Sequence, residues 1–288
     1  MADTMASAPP SILITGCSSG IGHAAAQALT QKGWRVFATV RRDQDVTRLL
    51  EEGFEALLLD LASSNSIAAA VDEVLRRTNG RLDALFNNGA YGQPGAVEDL
   101  SRSVLREQLE TNLLGTHELT TRIIPVMREQ GAGRIVQNSS VLGFTALPYR
   151  GAYVCSKFAL EGLTDTLRQE LYGTGIHVSL LEPGPIASRF RENAYRAFRD
   201  NIDAATSYHA VTYCALEAHL AGEGPSAPFT LEADAVIRKL IHALESRRPR
   251  ARYGITVPTH LFAALKRILT TRAMDRVLLR ATRQERET

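Results

Sequence analysis

Residues 12–22, Ile12-Leu13-Ile14-Thr15-Gly16-Cys17-Ser18-Ser19-Gly20-Ile21-Gly22, run from an apolar segment through a glycine-rich turn into an amphipathic stretch at 21–32. That order is strand, turn, helix. Gly16 permits a tight turn, Gly20 lets backbone come close to a pyrophosphate, and Gly22 allows the helix to pack against the strand. Free N–H groups at the helix start would face the anion. The spacing is G-x-x-x-G-x-G rather than G-x-G-x-x-G, and taken alone the loop can also be an ordinary glycine-rich turn.

Outward from this loop the rhythm repeats. Apolar runs at 35–40, 56–59, 82–86, 134–138 and 177–181 alternate with amphipathic stretches at 43–52, 65–78, 101–130 and 151–172. Short strands apolar on both sides, each followed by a helix, predict an α/β fold: a doubly wound parallel sheet with helices on both faces. A helix at 231–246 and a strand at 252–255 predict a seventh strand. Residues 183–228 break the rhythm with aromatics, alanines and Gly222-Glu223-Gly224-Pro225, and are expected to cover a substrate. The expected organisation is one domain over 1–257, cover included, and a tail over 258–288.

With 44% hydrophobic and 22% charged residues, the 288-residue chain has the composition of a folded globular protein and not of a disordered or collagen-like one. A net charge of +2 gives no footprint for nucleic acid. No apolar run reaches the ~18 residues of a membrane span, and MADTMASAPP has no signal-peptide pattern. Cys17, Cys155 and Cys214 are odd in number and widely spaced, which fits neither a disulfide framework nor a metal cluster. The seven histidines contain no HExxH pattern, so no metal is expected. A reducing cytoplasmic setting is the expectation.

Two further groups carry chemistry. Val40-Arg41-Arg42 offers two guanidiniums and no acid at the end of the second strand, where an acid would meet an NAD ribose. The pair suits a 2′-phosphate and so NADP(H), the alternative being a solvated basic pair. Tyr153 and Lys157, four apart in a helical stretch, share a face, and an ammonium there would lower the phenol's pKa toward proton exchange. Ser140 follows the 134–138 strand and can turn its hydroxyl to the same carbonyl oxygen. A surface Tyr–Lys pair is the alternative if these residues are taken alone.

They do not stand alone. TGCSSGIG at 15–22, NNGA at 87–90, Asn112, the Ser140–Tyr153–Lys157 set and EPGPIAS at 182–188 together resemble the short-chain dehydrogenase/reductase superfamily over about 11–188. ITGCSSGIG, SSVLGF and LEPGPI are similar to the branch of bacterial NADP-dependent aldehyde and ketone reductases and, more remotely, 17β-hydroxysteroid and retinol dehydrogenases. The resemblance implies a Rossmann-type fold and hydride transfer between nicotinamide and a carbonyl or alcohol carbon. It makes Tyr153 the general acid, has Lys157 hold the nicotinamide ribose and depress the phenol's pKa, and has Ser140 bond the substrate oxygen. Asn112 would anchor a water in a proton relay. Gly16, Ser18, Ser19, Gly20, Ile21 and Gly22 would hold the pyrophosphate, and Asp60, Leu61, Asn87 and Gly89 the adenosine side. Pro183, Gly184, Ile186 and Ser188 would face the nicotinamide, with Ser188 where the family more often has threonine.

The family usually has Asn-Asn-Ala-Gly where this chain has Asn87-Asn88-Gly89-Ala90. The exchange predicts crowding or a positive φ at Ala90, a strain of order 1 kcal/mol. Trp34, Phe37, Phe54 and Phe86 are expected in the core, and Phe144, Tyr149, Phe190, Tyr195, Phe198 and Tyr208 around an apolar substrate cavity. The expected substrate is a small apolar aldehyde or ketone, retinoid, steroid-like or long-chain; alcohol oxidation and a turnover-free dinucleotide sensor are the alternatives. A homo-oligomer, dimer or tetramer, through the 101–130 and 151–172 helices is implied by resemblance.

Charge is uneven: residues 246–288 hold 11 Lys/Arg against 3 Asp/Glu. Leu261, Phe262, Leu265, Ile268 and Leu269 recur at helical spacing between Lys266, Arg267, Arg272, Arg276 and Arg280, which predicts one basic amphipathic helix over 258–280. Packing on the body or on another subunit is one expectation for it. Peripheral docking on an anionic membrane surface is the other.

Overall fold

The computed structural model describes residues 8–222 and 227–283. The first seven residues, Glu223 to Ser226 of the expected cover and the last five residues of the tail lie outside the described residues. The elements run β1 (Ser11–Ile14), α1 (Gly20–Gln31), β2 (Arg35–Val40), α2 (Asp43–Glu51), β3 (Glu55–Leu58), α3 (Ser64–Arg77), β4 (Ala84–Asn87), α4 (Arg102–Leu109), α5 (Gly115–Gln130), β5 (Gly133–Asn138), α6 (Gly151–Glu170) and β6 (Ile176–Pro183). Then come α7 (Phe190–Asn201), α8 (Ala210–Ala221), α9 (Asp234–Glu245), β7 (Arg252–Ile255), α10 (Val257–Ile268) and α11 (Thr271–Ala281).

The strands form one seven-stranded parallel sheet in the order β3-β2-β1-β4-β5-β6-β7. Apolar strands dictate this, because both faces are covered. Along β1, Ile12 and Ile14 join Ala25, Leu29, Leu49, Val236 and Leu240 on the side of α1, α2 and α9. Leu13 points the other way, to Ile67, Val74, Leu119 and Ile123 of α3 and α5. Each such fully buried aliphatic side chain contributes about 1.5–3 kcal/mol. Phe37 and Phe86 are fully buried core residues, while Trp34 and Phe54 pack partly buried at its edge.

The strand order turns back between β1 and β4, so their carboxyl ends diverge into a crevice. Helix ends follow local chemistry: Ser63 and Ser101 accept from the N–H groups of Ser66 and Val104 at the starts of α3 and α4, and Gly131 closes α5 at φ +69°.

The expected 101–130 helix is present as one helical stretch, with a π turn at Glu110–Leu114 between α4 and α5. There Gly115 lies so close to the β3 loop that a Cβ would stand 1.8 Å from the Leu61 carbonyl oxygen. The tail is two helices, broken at Leu269, whose extended ψ of 145° ends α10. This corrects the expectation of one helix there, while β7 stands where a seventh strand was expected, paired with β6 from Leu180↔Arg252 to Pro183↔Ile255.

Candidate active site

At the crevice, the glycine loop and the turn after β4 are built against each other. A Cβ on Gly22 would meet the Gly16 carbonyl oxygen at 2.3 Å and Asn88 Nδ2 at 2.6 Å, and one on Gly16 would meet Gly89 Cα at 2.7 Å. Gly16 and Gly20 take φ of +73° and +58°. Ser19 is extended before α1 and its side chain caps nothing, and no acid lies in the first turn, so the helix start is open to an anion. Across the crevice, Ser188 Cβ would lie 3.0 Å from a Cβ on Gly20.

Together these loops wall a cavity of about 220 Å³. Gly16, Ser18, Ser19, Gly20, Ile21, Gly89, Pro183, Gly184, Ile186 and Ser188 line it, as do Ser140, Tyr153 and Lys157. Gly22 lies beneath the loop, where its missing side chain makes the close packing. Arg41 and Arg42 are exposed at the end of β2, and Arg42 begins α2. Burial raises the Tyr91 phenol and Glu107 adds to this, while the charge of Arg41 opposes it, so Arg41 acts on the turn beyond β4. Asp60 accepts from Ala62 N at 3.0 Å within the β3 loop, and Leu61 is buried against Gly89.

Ser140 ends the β5 segment, and its hydroxyl accepts from Leu142 N at 3.1 Å. Tyr153, in the first turn of α6, lines the same cavity. Lys157, one turn further, is buried and donates from Nζ to the Asn138 carbonyl at 2.7 Å, with Nζ 5.6 Å from the Tyr153 ring centre. The phenol is not lowered as the spacing implied. Burial pushes it up to about 12, the neighbouring Ser140 hydroxyl opposes the rise, and the ammonium is turned to the Asn138 carbonyl. Burial lowers Lys157 to about 8, and Glu161 opposes the fall.

Other expectations change with the geometry. Asn87 turns its amide to Thr120 Oγ1 at 2.8 Å, away from the crevice. The Asn112 amide is held by Tyr91 N, Tyr91 O and Ser156 Oγ at 3.1, 2.8 and 3.2 Å, so its side chain fixes the turn beside Tyr153 and α6. The π turn that carries it breaks the regular helical ladder there. Ala90 lines the cavity without a left-handed φ, and the glycine stands one position earlier because Leu61 and Thr15 would lie 3.2 Å from any Cβ at 89. Of the six cavity aromatics, Phe190 alone lines the main cavity. Phe198, Tyr149 and Tyr195 pack with Tyr213 in a core between α7 and α8, Tyr208 is 94% exposed, and the Phe144 carbonyl meets Lys266. Cys17 is buried with its thiol pushed up to about 12 by burial, so it is an inert packing group.

The contacts of Asn88 and Arg252 escaped the sequence reading, while Phe190 was expected at the cavity. Asn88 binds the loops, donating to the Thr15 and Gly16 carbonyls at 2.9 and 3.3 Å and accepting from Asn138 at 3.0 Å. Phe190 meets Tyr153 edge to face at 5.3 Å and fills the space over Gly92. Behind Lys157, Arg252 is shared by Glu161, Glu182 at 2.5 Å and Asp165 at 2.5 Å, leaving carboxylate in excess beside the lysine. Only the isolated acidic residues of LEG at 160–162 and EP at 182–183 hinted at it.

A family model described as short chain dehydrogenase matches residues 10–197. The chain belongs to the short-chain dehydrogenase family. Among its relatives is an Escherichia coli K12 protein described as uncharacterized oxidoreductase YbbO, 41% identical over 93% of each chain. Human 17-beta-hydroxysteroid dehydrogenase type 1 is 34% identical over 85% of this chain and 77% of its own. A short-chain dehydrogenase structure from Streptomyces avermitilis superposes with a TM-score of 0.73 at 26% identity, covering 97% and 99%. As a short-chain dehydrogenase the chain is an oxidoreductase, and its crevice fits the dinucleotide this family uses. The Gly16–Gly20–Gly22 cradle leaves no room for side chains, and an open helix start faces it.

Proposed function

We propose that this short-chain dehydrogenase reduces an apolar aldehyde or ketone with NADPH, acting as a retinoid, steroid-like or long-chain carbonyl reductase. The observation that carries the reading is that Ser140 and Tyr153 line the same crevice as the glycine loop, with Lys157 buried beside the phenol ring. A bound nicotinamide dinucleotide would supply the hydride. Ser140 and Tyr153 bond the substrate oxygen, and the phenol, kept protonated by burial, gives its proton as negative charge develops there. Lys157, a cation below about pH 8, would hold the ribose hydroxyls of a bound dinucleotide and return a proton to the phenol.

Arg41 and Arg42 support NADP(H), since both are exposed beside the glycine loop and no acid among the described residues is paired with either. Solved relatives carry either cofactor in their titles, NADP in a Burkholderia cenocepacia protein and NAD in a Burkholderia phymatum one. The apolar substrate rests on a second cavity of about 50 Å³ against Tyr153, where Pro94, Ala194 of α7 and Leu216 and Leu220 of α8 face the polar Gln93 and Arg150. It also rests on the names of two relatives, the human hydroxysteroid dehydrogenase and human retinol dehydrogenase 8. Residues 183–228 are the proposed cover. Exposed Leu114 and Leu163 on the α5 and α6 side support a homo-oligomer, and three unpaired cysteines support a reducing cytoplasm. Initial rates on a panel of long-chain aldehydes, retinal and a ketosteroid, with NADPH and NADH, test the reading. Turnover is expected with NADPH preferred at least about tenfold, and Arg41→Asp is expected to cut that preference. No turnover of any carbonyl, or an unchanged preference in Arg41→Asp, contradicts it.

A further inference from the structure

The tail presents two sides. The inner side of α10 lies on β7 and on the Val141–Gly143 turn that follows Ser140, with Lys266 Nζ bonded to the Phe144 carbonyl. Thr256, which starts α10, packs its hydroxyl on Gly184 of the loop after β6. The outer side of α10 is apolar where a solvated helix should be polar. Val257, Leu261, Ala264 and Ile268 follow at i, i+4, i+7 and i+11, hence on one face, and the three large ones are 58%, 50% and 76% exposed. Arg267 on α10, and Arg272, Arg276 and Arg280 on α11, which packs against α10, are exposed, and Asp275 is the single acid on the two helices.

We propose that this outer face of α10 and α11 docks on an anionic lipid bilayer. Apolar side chains in a row with arginines around them match the two components of such a surface, acyl chains and anionic headgroups. A second copy of the chain is a poor occupant, because two-fold pairing on this face would set the same arginines against each other. No acid among the described residues is paired with Arg267, Arg272, Arg276 or Arg280, so their charge is available to a partner. Since α10 also touches the loops carrying Ser140 and Gly184, docking would bring the crevice to the lipid surface. The inference goes beyond the proposed reaction and its test does not depend on turnover.

The full chain is used, because cutting at 246 would remove β7. Co-sedimentation is measured with vesicles of mixed phosphatidylglycerol and phosphatidylcholine and with phosphatidylcholine alone. The wild type is expected to pellet with the anionic vesicles at least about tenfold more than with the neutral ones, and less as salt rises. Two double variants, Leu261→Glu with Ile268→Glu and Arg272→Glu with Arg276→Glu, are each expected to fall to the neutral level with melting temperatures unchanged. These positions are exposed, and if one pair fails to fold the other decides. Equal pelleting on both lipids, or equal pelleting by wild type and a folded variant, overturns the proposal. So does a concentration-dependent rise in mass that the Leu261→Glu/Ile268→Glu chain loses, which would make the face a contact between copies.

Discussion

Tyr153 and Lys157 are both taken out of water, and burial moves their protons in opposite senses: the phenol holds its proton more tightly and the ammonium holds its own less. Lys157 is therefore the group that titrates near working pH. Its folded value is lowered to about 8, so the cation is full below that pH and is lost as pH rises through it. Reductase kcat/KM is expected to be flat below about pH 8 and to fall about tenfold per pH unit above it. Glu161→Gln removes the charge that opposes the fall, so the alkaline limb should move to lower pH, and Glu161→Asp should restore it. A pH–rate profile checks this; a variant that melts lower and is slower at every pH, with its limb unmoved, would make Glu161 a purely structural group. At this scale the sequence made the Tyr153–Lys157–Ser140 set legible, because two members share a helix face by spacing. It did not reveal Asn88 or the Arg252 cluster, whose partners lie 73 residues (Thr15) and 91 residues (Glu161) away in the chain.

Among elements, the glycine loop was the most legible, since the chemistry of a strand–turn–helix with glycines at the close approaches is local. Gly22 shows how little tolerance it has: Gly22→Ala would push a methyl onto the Gly16 carbonyl and the Asn88 amide. This variant is expected to lose dinucleotide affinity about a hundredfold and to be destabilised by about 1–3 kcal/mol. Fluorescence titration with NADPH and a melting curve measure both, and wild-type affinity would show that the loop does not hold the phosphates. The 101–130 helix was legible by its periodicity, but the π turn within it was not. Beside that turn the β3 loop presses on Gly115, a contact between distant segments. The aromatics of the cover misled for a related reason. Position after a catalytic segment does not say which way a ring turns, and Phe198 and Tyr149 turn inward to Tyr213 while Phe190 alone turns to Tyr153.

For the whole molecule, strand order decides where chemistry happens. Alternating apolar strands and amphipathic helices were enough to foresee a parallel sheet covered on both sides. The crevice between β1 and β4 gathers residues from five segments that are far apart in sequence, from Gly16 to Ser188. The basic end of the chain was foreseen as one helix and is two, because helical spacing alone does not register the extended backbone at Leu269. The central claim concerns the hydroxyl pair in that crevice: Ser140 and Tyr153 hold a carbonyl while hydride reaches its carbon. It is tested most directly by mass spectrometry of the alcohol formed from a turned-over aldehyde and NADPH deuterated at the transferred position of C4. Wild type is predicted to yield alcohol with one deuterium, and Tyr153→Phe to bind NADPH with unchanged affinity while forming product at least about a hundredfold more slowly. Unlabelled alcohol from the wild type, or labelled alcohol formed by Tyr153→Phe at the wild-type rate, would contradict it.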